Sequence, residues 1–334
     1  MSLIRGTIGL LLACFTASCG ISGRWLHKDV EQEPTDSDRD MHLFVNASQR
    51  LVVLGDSVAS GMFANTTLGK ELSADQAQRF LKIYRLSKEM DPHSEAFYVE
   101  AQKIGASPDD TAFAGIRDYS FSRRMEASKK EAIGIDRYAV SGATTDTMKS
   151  ETARLNADQK DRAKPATLVV LHIGANDFCD RTPLENFKSN FRKRLSEILG
   201  TIGDAPLLIL GVPDVPKILS FPDQVAFDAL GTKVLCSDVR QSLKMCGKRD
   251  IAAGASDTEL APHEADVKAM NDAMVAEIDG AIQASVGKAR IKYKRYESAK
   301  IEPSMLAIDC FHPSMEAQSN IAAQTWPVAA DLIQ

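Results

Sequence analysis

The sequence predicts a doubly wound α/β fold, with helices on both faces of a mostly parallel sheet. Short apolar runs that lead into glycine, "RLVVLG" (50–55), "TLVVLHIG" (167–174) and "PLLILGVP" (206–213), show no polar alternation. Strands buried on both faces of a parallel sheet have this character. Segments of helical period fall between them, and strands alternating with helices build such a sheet through right-handed crossovers.

Taken in chain order, "RLVVLG" is the first strand, and residues 62–130 form a largely helical insertion. Within it, "SADQAQRFLKIYRL" starts at Ser73, a good helix cap. "IDRYAVSG" (135–142) is a weaker strand. After the 167–174 strand, Thr182-Pro183-Leu184-Glu185 offers an N-cap, a proline in the first turn and a capping-box glutamate. Apolar residues at Leu184, Phe187, Phe191, Leu195 and Ile198 then mark an amphipathic helix. Residues 214–260 read as irregular and rich in Pro and Gly. Val267, Met270, Met274, Ile278 and Ile282 mark another helix, and "RIKYKRY" (290–296) a further strand. Both insertions follow strand ends, where α/β folds place ligands.

The 334 residues are 44% hydrophobic and 25% charged, enough apolar content for one large core, so a single domain over 49–334 with insertions at about 62–130 and 214–260 is expected. A net charge of −5 argues against nucleic acid as a partner, because phosphate backbones demand clustered Lys and Arg. Residues 1–19 carry Arg5 and then an apolar stretch too short to span a bilayer, the pattern of an export signal. A cysteine after small residues makes it a bacterial lipoprotein signal, with Cys19 as the acylated residue or Cys14 as the competitor. The expected locations are therefore the cell envelope, through an N-terminal lipid anchor on the membrane, or the secreted fraction. Residues 20–48 read as a polar tether. Cys179, Cys236, Cys246 and Cys310 remain, and an even number in an exported chain implies two disulfides. Three pairings are open; Cys236 and Cys246 are close enough in sequence to staple a loop.

Ser57, in "LVVLGDSVASG" (51–61), follows a buried strand and precedes a helix, so its hydroxyl can stand exposed at the sheet edge beside a helix N-terminus. A hydroxyl needs a base to become a nucleophile. His27, His42, His93 and His263 stand in tether, surface or capping contexts, and His172 reads as a core histidine. His312 differs: in "AIDCFHPS" (307–314) it follows Asp309 by three residues, a spacing that lets the carboxylate orient the imidazole. Asn176 of "HIGAND" (172–177) can donate to an oxyanion, as can the backbone N–H groups of Ser57 and of Gly142 in "VSGATT".

"GDSVASG", the glycine of "VSGATT", "GAND" and "DCFHPS" resemble, in order, the four blocks of the SGNH (GDSL) hydrolase superfamily over roughly residues 50–330. The resemblance implies a flavodoxin-like three-layer α/β/α sandwich and metal-free ester hydrolysis without a cofactor. Ser57 would be the nucleophile, His312 the base, Asp309 its partner, and Ser57, Gly142 and Asn176 the oxyanion donors. "GANDFC", "DCFHPS" and the cysteine-rich stretch look more like the phospholipase B and acyloxyacyl hydrolase branch than like carbohydrate acetylesterases. That points to lipid acyl esters, on the strength also of Ile218, Leu219, Phe221, Val225 and Phe227 near the strand ends. The alternatives are an O-acetyl or short-chain esterase acting on envelope polysaccharide, and a non-catalytic envelope binding protein.

Overall fold

The computed structural model describes residues 47–69, 111–160, 165–229, 232–285, 289–295 and 301–334, with single positions 78, 82, 86, 89 and 90 between. The export signal with Cys14 and Cys19, nearly all of the tether and most of the helix expected from Ser73 lie outside the described residues.

Five strands, β1 (Gln49–Gly55), β2 (Ile133–Arg137), β3 (Leu168–His172), β4 (Leu207–Leu210) and β7 (Ile291–Lys294), form one parallel sheet. Its order is β2-β1-β3-β4-β7, the flavodoxin-like arrangement, in which the chain reverses direction across the sheet between β1 and β3. The register sets Gly55 opposite His172. The segments that leave β1 and β3 therefore emerge side by side, and these are the segments carrying Ser57 and Asn176.

Each central strand divides its side chains between two cores. On β1, Val52 and Leu54 face one and Leu51 and Val53 the other; on β3, Val169 and Leu171 oppose Leu168 and Val170. The first core is closed by α3 (Lys149–Lys160), α5 (Leu184–Ile202) and α8 (Asp257–Ala284), through Leu155, Phe187, Phe191, Leu195, Met270 and Met274. The second is closed by α2 (Phe121–Lys129) and α9 (Met315–Leu332), through Phe121, Met125, Ile321 and Ala329. The molecule is thus a three-layer α/β/α sandwich, and the continuous apolar runs are needed because both faces of the sheet are covered. At about 1.5–3 kcal/mol per buried large side chain, these two cores supply the main driving force for folding.

Several boundaries differ from the expected ones. β2 begins at Ile133 and ends at Arg137, so Tyr138–Gly142 is not strand. Tyr138 and Val140 N–H still donate to the carbonyls of Val53 and Gly55, at 2.8 and 2.9 Å, which guides the departing chain along β1 to Gly142. α5 starts at Leu184 with no side-chain cap bond; Thr182 instead donates its N–H to the Asp177 carbonyl at 2.9 Å, closing the preceding turn. The 214–260 stretch is more ordered than its composition suggests. It holds α6 (Val215–Ser220), an antiparallel hairpin of β5 (Val225–Ala229) and β6 (Thr232–Leu235), and α7 (Cys236–Ser242). α8 begins ten residues before its first expected apolar marker, at a capping box in which Ser256 and Glu259 bond reciprocally.

The disulfides are Cys179–Cys246 and Cys236–Cys310, with Cα–Cα separations of 4.5 and 5.4 Å. The expected local staple between Cys236 and Cys246 does not form. Cys236 opens α7, and a helix rising about 1.5 Å per residue carries the chain away faster than a bridge can span. Cys236 packs with Cys310 in an outer cluster with Met62 and Phe63, while Cys246 joins Cys179 in the first core.

Candidate active site

Ser57 opens α1 (Ser57–Ser60), directly after the glycine that ends β1. Gly55 has φ +130°, and a Cβ there would lie 1.8 Å from the His172 carbonyl oxygen, so no other residue fits where β1 and β3 come this close. Its N–H donates to Glu151 Oε2 at 2.8 Å, tying the turn to α3. Asp56 caps α1: its Oδ1 accepts from the Val58 N–H at 3.0 Å and lies 2.9 Å from His172 Nδ1. The Asp56 N–H donates to the His172 carbonyl at 3.0 Å. His172 is thus the core histidine expected, and its carboxylate partner adjoins Ser57. α1 has a single turn, so an oxyanion here would meet individual N–H groups and not the dipole of a long helix.

The Asp-Cys-Phe-His segment is a tight, self-bonded turn. Asp309 Oδ1 accepts from the Phe311 and His312 N–H groups at 3.2 and 3.0 Å, and its Oδ2 contacts His312 Nδ1. Ala307 donates to the His312 carbonyl at 2.8 Å and Ile308 to Thr66 Oγ1 at 3.2 Å. Cys310 takes φ +61°, a left-handed conformation uncommon for a residue with a Cβ, in the middle of this turn. Asp309 is fully buried, and Phe311 packs edge-on to the imidazole with ring centroids 5.2 Å apart.

Ser57 and His312 line one cleft of about 640 Å³ without a direct hydrogen bond between them. Its other walls are overwhelmingly apolar, including Val215, Ile218, Met305, Leu306 and Ile321. A second cleft of about 390 Å³, with a more polar lining, holds Gly142, Asn176, Asp180 and the Cys179–Cys246 bridge. Phe311 and His312 border both clefts. The structure therefore brings together Ser57, Gly142, Asn176, Asp309 and His312, the five residues singled out in the sequence. Of the apolar residues expected near substrate, only Ile218 lines the Ser57 cleft. Leu219 belongs to the main core, Phe221 packs behind Ile218 and Leu306, Phe227 joins the outer cluster, and Val225 lies on the hairpin.

Two loops carry the polar groups of the second cleft. Gly142 has φ +83°, a left-handed turn that glycine adopts without strain. Asn176 lies in α4 (Ala175–Cys179) and donates one amide N–H to the Ala143 carbonyl at 3.0 Å. Beside it Asp177, buried, accepts from the Thr145 N–H at 2.9 Å and the Thr145 hydroxyl at 2.7 Å. Burial pushes its carboxyl up to about 7; Asp180 and Asp56 push the same way, and the Thr145 hydrogen bonds act against them. Asp177, Thr145, Glu151 and Asp56 were not singled out in the sequence. Asp56 and Asp177 are marked only by adjacency to Ser57 and Asn176; Thr145 and Glu151 carry no local signal.

A parallel sheet in this order, with a serine after its first strand and a buried Asp–His pair across the cleft, defines a serine hydrolase of the flavodoxin-like class. The chain belongs to the GDSL-like lipase/acylhydrolase family, whose sequence pattern matches residues 51–325, and it is a serine ester hydrolase. No curated protein matches the chain. Among solved structures it is similar to TesA (14% identity, 85% of this chain, 99% of that one, TM-score 0.44). It is also similar to a Clostridium thermocellum family 3 carbohydrate esterase (12%, 86%, 99%, TM-score 0.45). A third is the extracellular lipase of Streptomyces rimosus (13%, 84%, 100%, TM-score 0.39).

Proposed function

We propose that the protein hydrolyses lipid acyl esters through an acyl-enzyme on Ser57. The observation that carries this reading is the apolar cleft that Ser57 and His312 share with Val215, Ile218, Met305, Leu306 and Ile321. An acyl chain loses water along such walls, at about 0.8 kcal/mol per buried methylene, a gain that a two-carbon acetyl group cannot collect.

In the proposed reaction Asp309 faces His312 Nδ1, which leaves Nε2 to take the Ser57 proton as Oγ bonds to the ester carbonyl carbon. The carbonyl oxygen becomes an oxyanion held by the Ser57 and Gly142 N–H groups and by the second amide N–H of Asn176. Collapse breaks the ester C–O bond, and the leaving alcohol takes the proton from His312. Water then repeats the sequence on the acyl-enzyme and restores Ser57.

The reading extends to place and kinship. The protein is exported and anchored through an acylated Cys19, or Cys14, and its substrates resemble those of the phospholipase B and acyloxyacyl hydrolase branch. Two disulfides in the catalytic domain support an oxidising compartment.

A chain-length series of p-nitrophenyl esters, run with wild type and Ser57→Ala, tests the function. Wild type should turn over medium and long chains best, and Ser57→Ala should fold yet lose turnover and fluorophosphonate labelling. A preference for acetyl would replace the lipid reading with a short-chain or O-acetyl esterase. Labelling retained in Ser57→Ala would remove the nucleophile assignment.

A further inference from the structure

We infer that Asp177 is a positioning residue for the oxyanion site: its carboxylate clamps the Gly142 loop against the Asn176 loop, so that both donors face one point. The inference rests on the proposed oxyanion roles of Gly142 and Asn176. Its basis is a set of three hydrogen bonds that cross between the loops. Asp177 Oδ2 accepts from the Thr145 N–H at 2.9 Å, Asp177 Oδ1 from the Thr145 hydroxyl at 2.7 Å, and Asn176 donates to the Ala143 carbonyl at 3.0 Å. Asp177 and Thr145 are almost wholly buried, at 1% and 0% exposure, so water cannot replace either partner.

The clamp joins two loops that leave the strands on either side of β1. Tyr138 and Val140 hold the approach to Gly142 against β1, but beyond Gly142 the chain turns away from the sheet. Past that turn it is tied back at Ala143, whose carbonyl accepts from Asn176, and at Thr145, whose N–H and hydroxyl both donate to Asp177. On the other loop, Asp177 is fixed by α4 and by the Thr182 N–H on its carbonyl. Asn176, its neighbour, spends one amide hydrogen on Ala143 and keeps the other for a ligand. An oxyanion donor is effective only when held at the place where charge develops, so a brace between two donors bears on the transition state more than on the ground state.

The test compares kcat and KM of Asn176→Ala, Asp177→Ala, Thr145→Val and Thr145→Ser on one ester. Asn176→Ala should lose about 10²–10³ in kcat. Asp177→Ala should lose on the order of 10² in kcat, with KM changed by no more than about threefold, since only a transition-state contact is loosened. The Asn176→Ala/Asp177→Ala double variant should lose less than the product of the single losses, because both act on one site. Thr145→Val, which removes only the hydroxyl bond, should lose part of the rate, and Thr145→Ser should recover it.

Full activity in Asn176→Ala would overturn the oxyanion reading itself. Loss in Asn176→Ala together with wild-type kcat in a folded Asp177→Ala would overturn the brace alone. So would a defect of Asp177→Ala confined to KM. If Asp177→Ala does not fold, the Thr145 pair decides: equal kcat in the Val and Ser variants would sink the inference.

Discussion

His312 and Asp309 are bound to each other twice. The carboxylate takes the imidazole Nδ1 on one oxygen and the His312 backbone N–H, at 3.0 Å, on the other. One side chain thus sets both the ring orientation and the turn that presents it. The first consequence concerns which histidine is the base. His312→Ala should abolish esterase turnover. Asp309→Asn should lower kcat by about 10⁴-fold while the protein stays folded, because an amide favours the wrong imidazole tautomer. His172→Gln should mainly lower the melting temperature, since His172 pairs with Asp56 inside the core. A folded but inactive His172→Gln beside an active His312→Ala would reverse the assignment.

The carboxyl of Asp177, pushed up to about 7 by burial, makes stability depend on pH in a particular direction. In the pH interval between an ordinary carboxylate value and about 7, the folded protein keeps a proton that the unfolded chain has released. Its contribution is therefore complete below the ordinary value and is lost as pH rises through about 7. Relative to Asp177→Asn, the wild type should lose melting temperature between pH 4 and pH 8. Parallel melting-temperature curves for the two proteins would refute this.

The Cys236–Cys310 bridge ends one residue from Asp309 and two from His312, whereas Cys179–Cys246 walls the more polar cleft. Replacing both members of either pair with serine should cost stability, at about 2–4 kcal/mol per bridge. Loss of Cys236–Cys310 should in addition lower kcat/KM, because the Asp-Cys-Phe-His turn is held at Cys310. Denaturant melts and kinetics on the two double variants check this. Equal activity in both would mean that the turn is held by its own hydrogen bonds.

Ile218 is the expected apolar residue that does reach the Ser57 cleft. Ile218→Trp should fill it and reduce kcat/KM for a decanoyl ester far more than for an acetyl ester. A uniform loss across chain lengths would show that the acyl chain lies elsewhere.

The sequence by itself determined the layers of the sheet and pointed to the five residues proposed for the central site. Both are local properties: a strand buried on both faces must be apolar throughout, and an Asp three residues before a His can close a turn on it without help from the rest of the chain. It also ended the first strand at Gly55, but that no Cβ fits there is decided by the approach of the His172 carbonyl on the neighbouring strand. Tertiary structure alone decided the disulfide pairing, because α7 turns Cys236 toward Cys310 and leaves Cys246 to Cys179. It likewise decided that Ile218 lines the Ser57 cleft while Leu219, its neighbour, joins the core. The Thr145–Asp177 clamp joins residues 32 apart, and neither local pattern nor propensity records a bond whose partners meet only when the loops after β2 and β3, the strands on either side of β1, come together in the folded sheet. Burial finally sets the charge of Asp177, and burial is a property of the folded neighbourhood, which no single residue carries.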